Sequence, residues 1–135
     1  ESSSKKSINF GHWLINKLIS NEKVKIITDE YSSPIIADDF ARSILHIIKH
    51  EKSGIFHYAP KLQITRYDFS IKVAKALGLS TELIKPVSNR ELGRDVNTGS
   101  NKCLNSDKLS NNLNYKFLTL NESLDLLKTQ FNVGK

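Results

Sequence analysis

The amino-acid sequence predicts an α/β or α+β arrangement with helices around a few short strands. Three observations carry that expectation. Helical and strand-like periodicities alternate at short intervals along the 135 residues. Residues 38–59 run from an amphipathic helix through a tight loop into the apolar run Ile55-Phe56-His57-Tyr58-Ala59, an order that suits the edge of a parallel sheet. A composition of 39% apolar and 25% charged residues is that of a globular chain able to bury a continuous core.

Taken in order, Ile8, Trp13, Leu14, Ile15, Leu18 and Ile19 predict a helix near residues 8–20 with one broad apolar face. Residues 23–28 alternate as a half-buried strand. The turn-rich stretch 29–34 follows, then a short extended run, Ile35-Ile36. A second helix is expected from Asp38 to His50, capped by Asp38. Phe40, Ala41, Ile44, Leu45, Ile47 and Ile48 should face inward, and Asp39, Arg42, Ser43, His46, Lys49 and His50 should fall on the opposite, solvated side. Gly54 leads into the expected buried strand ending at Ala59. Thr65 caps a third helix that Gly78 stops, with Phe69, Val73, Ala76 and Leu77 as its stripe. Pro86 keeps residues 83–87 extended. Residues 88–102 form a long polar loop, the kind that contacts ligands more often than it fills a core. Ser106 should cap a short helix carrying Leu109 and Leu113. The capping box Thr119-Leu120-Asn121-Glu122 opens the last one.

Composition also narrows the function. Net charge is +6, but 16 of the 20 basic residues are scattered Lys, with no Arg cluster, aromatic RNA motif or zinc-finger spacing. A solvated lysine surface is expected, and no nucleic-acid partner. No apolar run approaches the roughly 20 residues that span a bilayer, and no leader pattern is read at the N-terminus. One cysteine, Cys103, excludes an internal disulfide framework. It reads as a buried structural thiol in a cytoplasmic protein. Having no Met and beginning Glu1-Ser2-Ser3, the chain is expected to be a piece of a longer polypeptide.

The search for catalytic chemistry finds none. The six glycines at 11, 54, 78, 93, 99 and 134 fit neither a dinucleotide fingerprint nor a P-loop. A Tyr-x-x-x-Lys pair, whose lysine would lower the phenol pKa for proton transfer to a carbonyl, is also missing. Ile35, Leu62, Ile71 and Thr119 follow the four tyrosines at that spacing. His46 and His50 share a metal-compatible spacing but lack a third ligand, so no metal site is expected.

Five segments nevertheless occur in a telling order. Asn9-Phe10 opens a helix. The turn Asp29-Glu30-Tyr31-Ser32-Ser33-Pro34 precedes Asp38-Asp39-Phe40-Ala41. Gly54-Ile55-Phe56-His57-Tyr58-Ala59, Thr65-Arg66-Tyr67-Asp68-Phe69 and Asn101-Lys102-Cys103-Leu104-Asn105-Ser106-Asp107-Lys108-Leu109 complete the series. From about Ile8 to Phe131 this succession resembles the C-terminal part of the dTDP-4-dehydrorhamnose reductase family. The non-catalytic regulatory subunit of methionine adenosyltransferase is similar over the same stretch.

The resemblance implies an α/β fold, the C-terminal substrate-side portion of an extended Rossmann-type short-chain dehydrogenase/reductase. Residues 1–135 would be the substrate-binding portion, and the cofactor-binding Rossmann portion would lie outside this chain. The full-length protein would use NADP(H) to reduce a 4-keto nucleotide sugar. This chain would bind no cofactor and hold no catalytic residue. Its partners would be the nucleotide sugar and either the Rossmann portion or another copy of the chain; the alternative is a silent regulatory relative that binds a protein. The implied substrate contacts are Asn9, Phe10, Ser33, Pro34, Arg94 and Asn101. The family's Arg-Pro before the Asn101 segment is replaced by Thr98-Gly99, which leaves Arg94 as the candidate diphosphate contact.

Overall fold

The computed structural model describes residues 9–94 and 101–131. Ile8, Thr98 and Gly99 lie outside that range. Helix α1 spans Phe10–Ile19, and Asn9 caps it by accepting the His12 amide at 2.9 Å. Its Leu14, Ile15 and Leu18 are buried, while Trp13 and Ile19 stay partly exposed, so the apolar face is narrower than its sequence suggests.

Strand β1 (Val24–Ile27) pairs in parallel with β4 (Ile84–Val87), bringing Val24 beside Ile84 and Ile27 beside Val87. A second small sheet, antiparallel, joins β2 (Tyr31–Ser32) to β3 (Ile64–Thr65). Of the run expected to be extended at residues 35–36, Ile36 is extended, with φ of -94° and ψ of 135°, but it pairs with no strand. Asp29 fastens the ends of the parallel pair together by accepting both the Asn89 amide and its side-chain NH2 group.

Helix α3 (Arg66–Leu77) begins at Thr65, whose hydroxyl accepts the Asp68 amide at 3.0 Å. It ends at Gly78, where φ is +68°. That left-handed conformation is the reason a glycine stands there. A single 3-10 turn, Thr81–Leu83, leads into β4. Helix α4 spans Asp107–Asn112 and α5 spans Leu120–Gln130. The α5 capping box is complete, with Thr119 and Glu122 each bonding the other's backbone amide. Ser106 stands at the N-cap position of α4 but makes no side-chain capping bond: its hydroxyl donates to the Ala59 carbonyl, and the Asn105 side chain accepts the Asp107 amide.

The interior has two centres. The larger gathers α1, α3, α5 and the parallel pair around Leu14, Ile15, Val73 and Leu77. The smaller packs Tyr58, Leu109, Leu113 and Tyr115 against Phe117 and Ile47.

Helix α2 (Ala37–Lys49) borders the second centre through Asp39, Ser43, His46 and Ile47, and of these the sequence predicts only Ile47 to face inward. Asp39 and Ser43 are each only 1% exposed, whereas Leu45 and Ile48 are 59% and 63% exposed. The expected N-cap is also displaced, to Ile36, which makes no side-chain capping bond. The physical reason lies in what α2 meets. Its inward side faces phenols, a backbone amide and carbonyls, which a carboxylate, a guanidinium and an imidazole can satisfy and Ile or Leu cannot. The run Ile55–Ala59 is likewise not a strand. Ile55 is 79% exposed, Tyr58 and Ala59 are buried, and Lys108 donates to the Ile55 carbonyl.

Two truncations on α1 test this packing. Leu14→Ala should lower unfolding free energy by about 2–5 kcal/mol, because Leu14 is fully enclosed. Ile19→Ala, at a position 53% exposed, should change it by less than about 0.5 kcal/mol. Urea-induced unfolding followed by circular dichroism measures both.

Candidate functional site

Loop 32–36 and the ends of four helices surround one large cavity of about 760 Å³. Helix α1 contributes Asn9, Phe10 and His12, α2 contributes Asp38, α3 contributes Arg66 and Phe69, and α5 contributes Leu124, Leu127 and Gln130. Its walls are mainly aromatic and aliphatic, with a few polar groups, as small-molecule sites usually are. Phe10 lies 5.9 Å from Trp13 and 6.5 Å from Phe69, ring centre to ring centre. Across the cavity Gln130 donates to Asp38 at 3.0 Å, tying the end of α5 to the start of α2.

Arg66 enters this wall as the first residue of α3. Its guanidinium lies 5.2 Å from the centre of the Phe10 ring, and its Nε is 3.4 Å from a Glu30 oxygen. Glu30 is buried, and its second oxygen is held by Lys102.

A smaller cavity of about 390 Å³ adjoins the other side of the same loop, lined by Ser33, Lys61, Gln63, Cys103 and Asn105. Ser32 faces the large cavity and Ser33 the small one, so neighbouring residues of the turn serve different spaces. The Ser33 hydroxyl is buried without a hydrogen-bond partner among the described residues. Cys103 is half-buried on this wall rather than enclosed in a core.

The structure thus brings Asn9, Phe10 and Pro34 together around the large cavity and sets Ser33 just behind it. Arg94 is exposed and borders neither cavity. Asn101 is also exposed: its backbone bridges to Tyr31 and its side chain accepts the Cys103 amide, which makes it a turn former. Sequence reading missed Arg66 and Phe69. Both lie in the segment Thr65-Arg66-Tyr67-Asp68-Phe69, but no local signal sets them apart from Tyr67 and Asp68 as cavity residues.

Next to the cavity lies a buried polar cluster centred on Asp39. Its carboxylate accepts the Tyr58 hydroxyl, the Tyr115 hydroxyl at 2.8 Å, the Leu118 amide at 3.1 Å and Arg42 at 2.6 Å. Burial alone would raise the Asp39 pKa. The bonds from Tyr58, Tyr115, Leu118 and Arg42 together outweigh it and hold the carboxyl below its ordinary value. Burial, and then Asp39 itself, push the Tyr58 phenol well above its usual range. Tyr58 therefore stays a neutral phenol, its hydroxyl proton already donated to the Asp39 carboxylate. His46, expected to be solvated, bonds the Leu113 carbonyl at 2.6 Å.

Among the described residues Gly54, Gly78 and Gly93 each stand at positive φ in a separate turn, and they form no phosphate-cradling loop. Among the described residues no group of three or more His, Cys, Asp or Glu could hold a metal, and no helix is long and apolar enough to cross a membrane.

Comparison with known proteins places this arrangement in context. The family model described as the RmlD substrate binding domain matches residues 3–132. The chain belongs to that family. A probable low-salt glycan biosynthesis reductase of Haloferax volcanii is 26% identical over 92% of the chain and 41% of its own length. A dTDP-4-keto-6-deoxy-D-glucose reductase of Streptomyces niveus is 27% identical over 66% and 31%. The fold matches the dTDP-4-dehydrorhamnose reductase of Bacillus anthracis, solved in complex with NADP. That match has a TM-score of 0.81 at 19% identity and covers 94% of this chain and 45% of that one. A dTDP-glucose 4,6-dehydratase from Bacillus anthracis, in complex with NAD, matches with a TM-score of 0.72 at 12% identity over 92% of this chain and 39% of its own. The α/β fold expected of an extended Rossmann-type reductase portion is therefore the one observed, and this RmlD substrate binding domain spans less than half the length of the relatives it matches.

The Asp39 cluster generates a pH prediction. A carboxyl whose pKa is depressed on folding contributes stability above its unfolded value, about 3.9, and loses that contribution as pH falls through the lower folded value. The urea midpoint should therefore fall steeply on acidification below about pH 4. Asp39→Asn should cost about 2–4 kcal/mol at neutral pH and flatten that acid limb. An unchanged acid limb in the variant would assign the acid sensitivity to other carboxylates.

Proposed function

We propose that this chain is the nucleotide-sugar-binding portion of an NADP(H)-dependent reductase acting on a dTDP-4-keto sugar, the reaction class that supplies dTDP-rhamnose. Two observations together carry the reading. The family match covers almost the whole chain, and Asn9, Phe10 and Pro34, three of the six contacts implied by the resemblance, converge on one cavity. At about 760 Å³ that cavity is large enough for a nucleotide, with the Phe10 and Phe69 rings available to pack on a base or sugar. Of the remaining implied contacts, Ser33 is proposed to act from within the ligand-bearing loop, on its side toward the smaller cavity, whereas Arg94 and Asn101 stand outside both cavities.

In this reading the chain contributes substrate binding and orientation, residues 1–135 acting as one unit. Hydride transfer belongs to a separate cofactor-binding portion, which would bring NADP(H) and the proton-transferring Tyr and Lys. The exposed apolar face of α2, with Phe40, Ile44, Leu45 and Ile48, is the surface against which that portion would pack. Two facts support this assignment: the relatives are more than twice as long as the chain, and exposing such a face costs about 25 cal/mol per Å². Without that cover, another copy of the chain becomes the available partner.

Calorimetric titration tests the ligand assignment. The purified chain should bind dTDP saturably, and Phe10→Ala should weaken binding by about 1.5–3 kcal/mol. Absence of any dTDP binding would remove the basis for the reading. NADPH consumption with dTDP-4-keto sugars should be absent in the same preparation, and saturable turnover would contradict the division of labour.

Sedimentation tests the uncovered face. The chain alone should self-associate at micromolar concentration, and Ile48→Ser should shift it toward monomer. A wild-type monomer under those conditions would count against α2 as a docking surface.

A further inference from the structure

We propose that Arg66 is the residue that takes the diphosphate of the ligand, an inference that rests on the nucleotide-sugar reading above. Among the described residues lining the large cavity, Arg66 is the only Lys or Arg. Three features make its charge available. Its guanidinium is steadied by the Phe10 ring, 5.2 Å from its centre, so the planar fork is pre-oriented. Its contact with Glu30 is a single long one, Nε to oxygen at 3.4 Å. Lys102 already holds the other oxygen of Glu30, so one buried carboxylate lies between two cations and one positive charge is left over.

That surplus is 42% exposed to water but sits beside apolar walls, which strengthen its pull on an anion relative to open water. A guanidinium fork matches two phosphate oxygens at once, which an ammonium cannot do. The only carboxylate among the described lining residues, Asp38, is engaged by Gln130 on α5. An anionic ligand group is thus drawn toward Arg66 and repelled from Asp38. Arg94, the diphosphate contact expected from the sequence, borders neither cavity, which leaves Arg66 as the guanidinium on the cavity wall.

The test titrates the full 135-residue chain with dTDP and, separately, with thymidine, which lacks the phosphates. Wild type should prefer dTDP. Arg66→Gln should lose about tenfold or more in dTDP affinity while keeping its thymidine affinity. Lys102→Gln, at a position 47% exposed, should weaken dTDP by a smaller factor, because Glu30 then draws on Arg66 alone. If Arg66→Gln and Lys102→Gln both bind dTDP as wild type does, the role of Arg66 is overturned while the nucleotide site stands. If Arg66→Gln weakens thymidine as much as dTDP, Arg66 only packs against Phe10 and the inference falls. Should wild type bind neither compound, the site reading falls together with it.

Discussion

Asp39 is a carboxylate only 1% exposed, and it accepts bonds from two phenols, a backbone amide and a guanidinium that come from three separate stretches of chain. Burying such a charge unpaired would cost several kcal/mol, so its donors and its position are bound together. The donors are Tyr58 from the extended run after α2, Tyr115 and Leu118 from the segment leading into α5, and Arg42 one turn along α2 itself. Arg42 then reaches on to the Lys116 carbonyl at 2.8 Å. The Leu118 bond lies immediately before the Thr119 cap, so the same carboxylate sets where α5 begins. Since α5 forms one wall of the large cavity, a polar clamp outside that cavity fixes part of its shape.

This clamp also decides which way α2 faces. Turning Asp39, Ser43 and His46 inward obliges the opposite stripe of the helix outward, because side chains 100° apart per residue cannot share one face. That outward stripe, Phe40, Ile44, Leu45 and Ile48, is the surface that the proposed function assigns to a cofactor-binding portion. The interior is built accordingly: one apolar centre around α1 and α3, and a second around Tyr58 and Tyr115 that uses hydrogen bonds where the first uses aliphatic packing.

Local chemistry was legible in the sequence, and long-range facing was not. The Thr65 cap, the Gly78 stop and the Thr119–Glu122 capping box are all where their residues indicate, since each depends on neighbours within four positions. The facing of α2 was misread because periodicity shows which side of a helix is apolar but not what lies against it. The run Ile55–Ala59 was misread for a related reason: a strand needs a partner, and none occurs among the described residues. In the site, motif order pointed to Asn9, Phe10 and Pro34, which do meet. It could not separate Ser32 from Ser33, which serve different cavities, nor single out Arg66, whose significance comes from Glu30 and Lys102 far along the chain.

The central claim is that Asp39 holds the polar face of α2 against Tyr58 and Tyr115. Through-space proton contacts in the NMR spectrum of the 135-residue chain test it most directly, because they report which face of α2 the tyrosines touch whether or not copies associate. The Tyr115 ring should show contacts to His46, whose ring centre is 5.2 Å away, and to Arg42. Its hydroxyl proton should exchange slowly with water in the wild type and rapidly in Asp39→Asn. Contacts from Tyr115 to Leu45 and Ile48 in place of His46 and Arg42 would show the helix turned the other way and contradict the account.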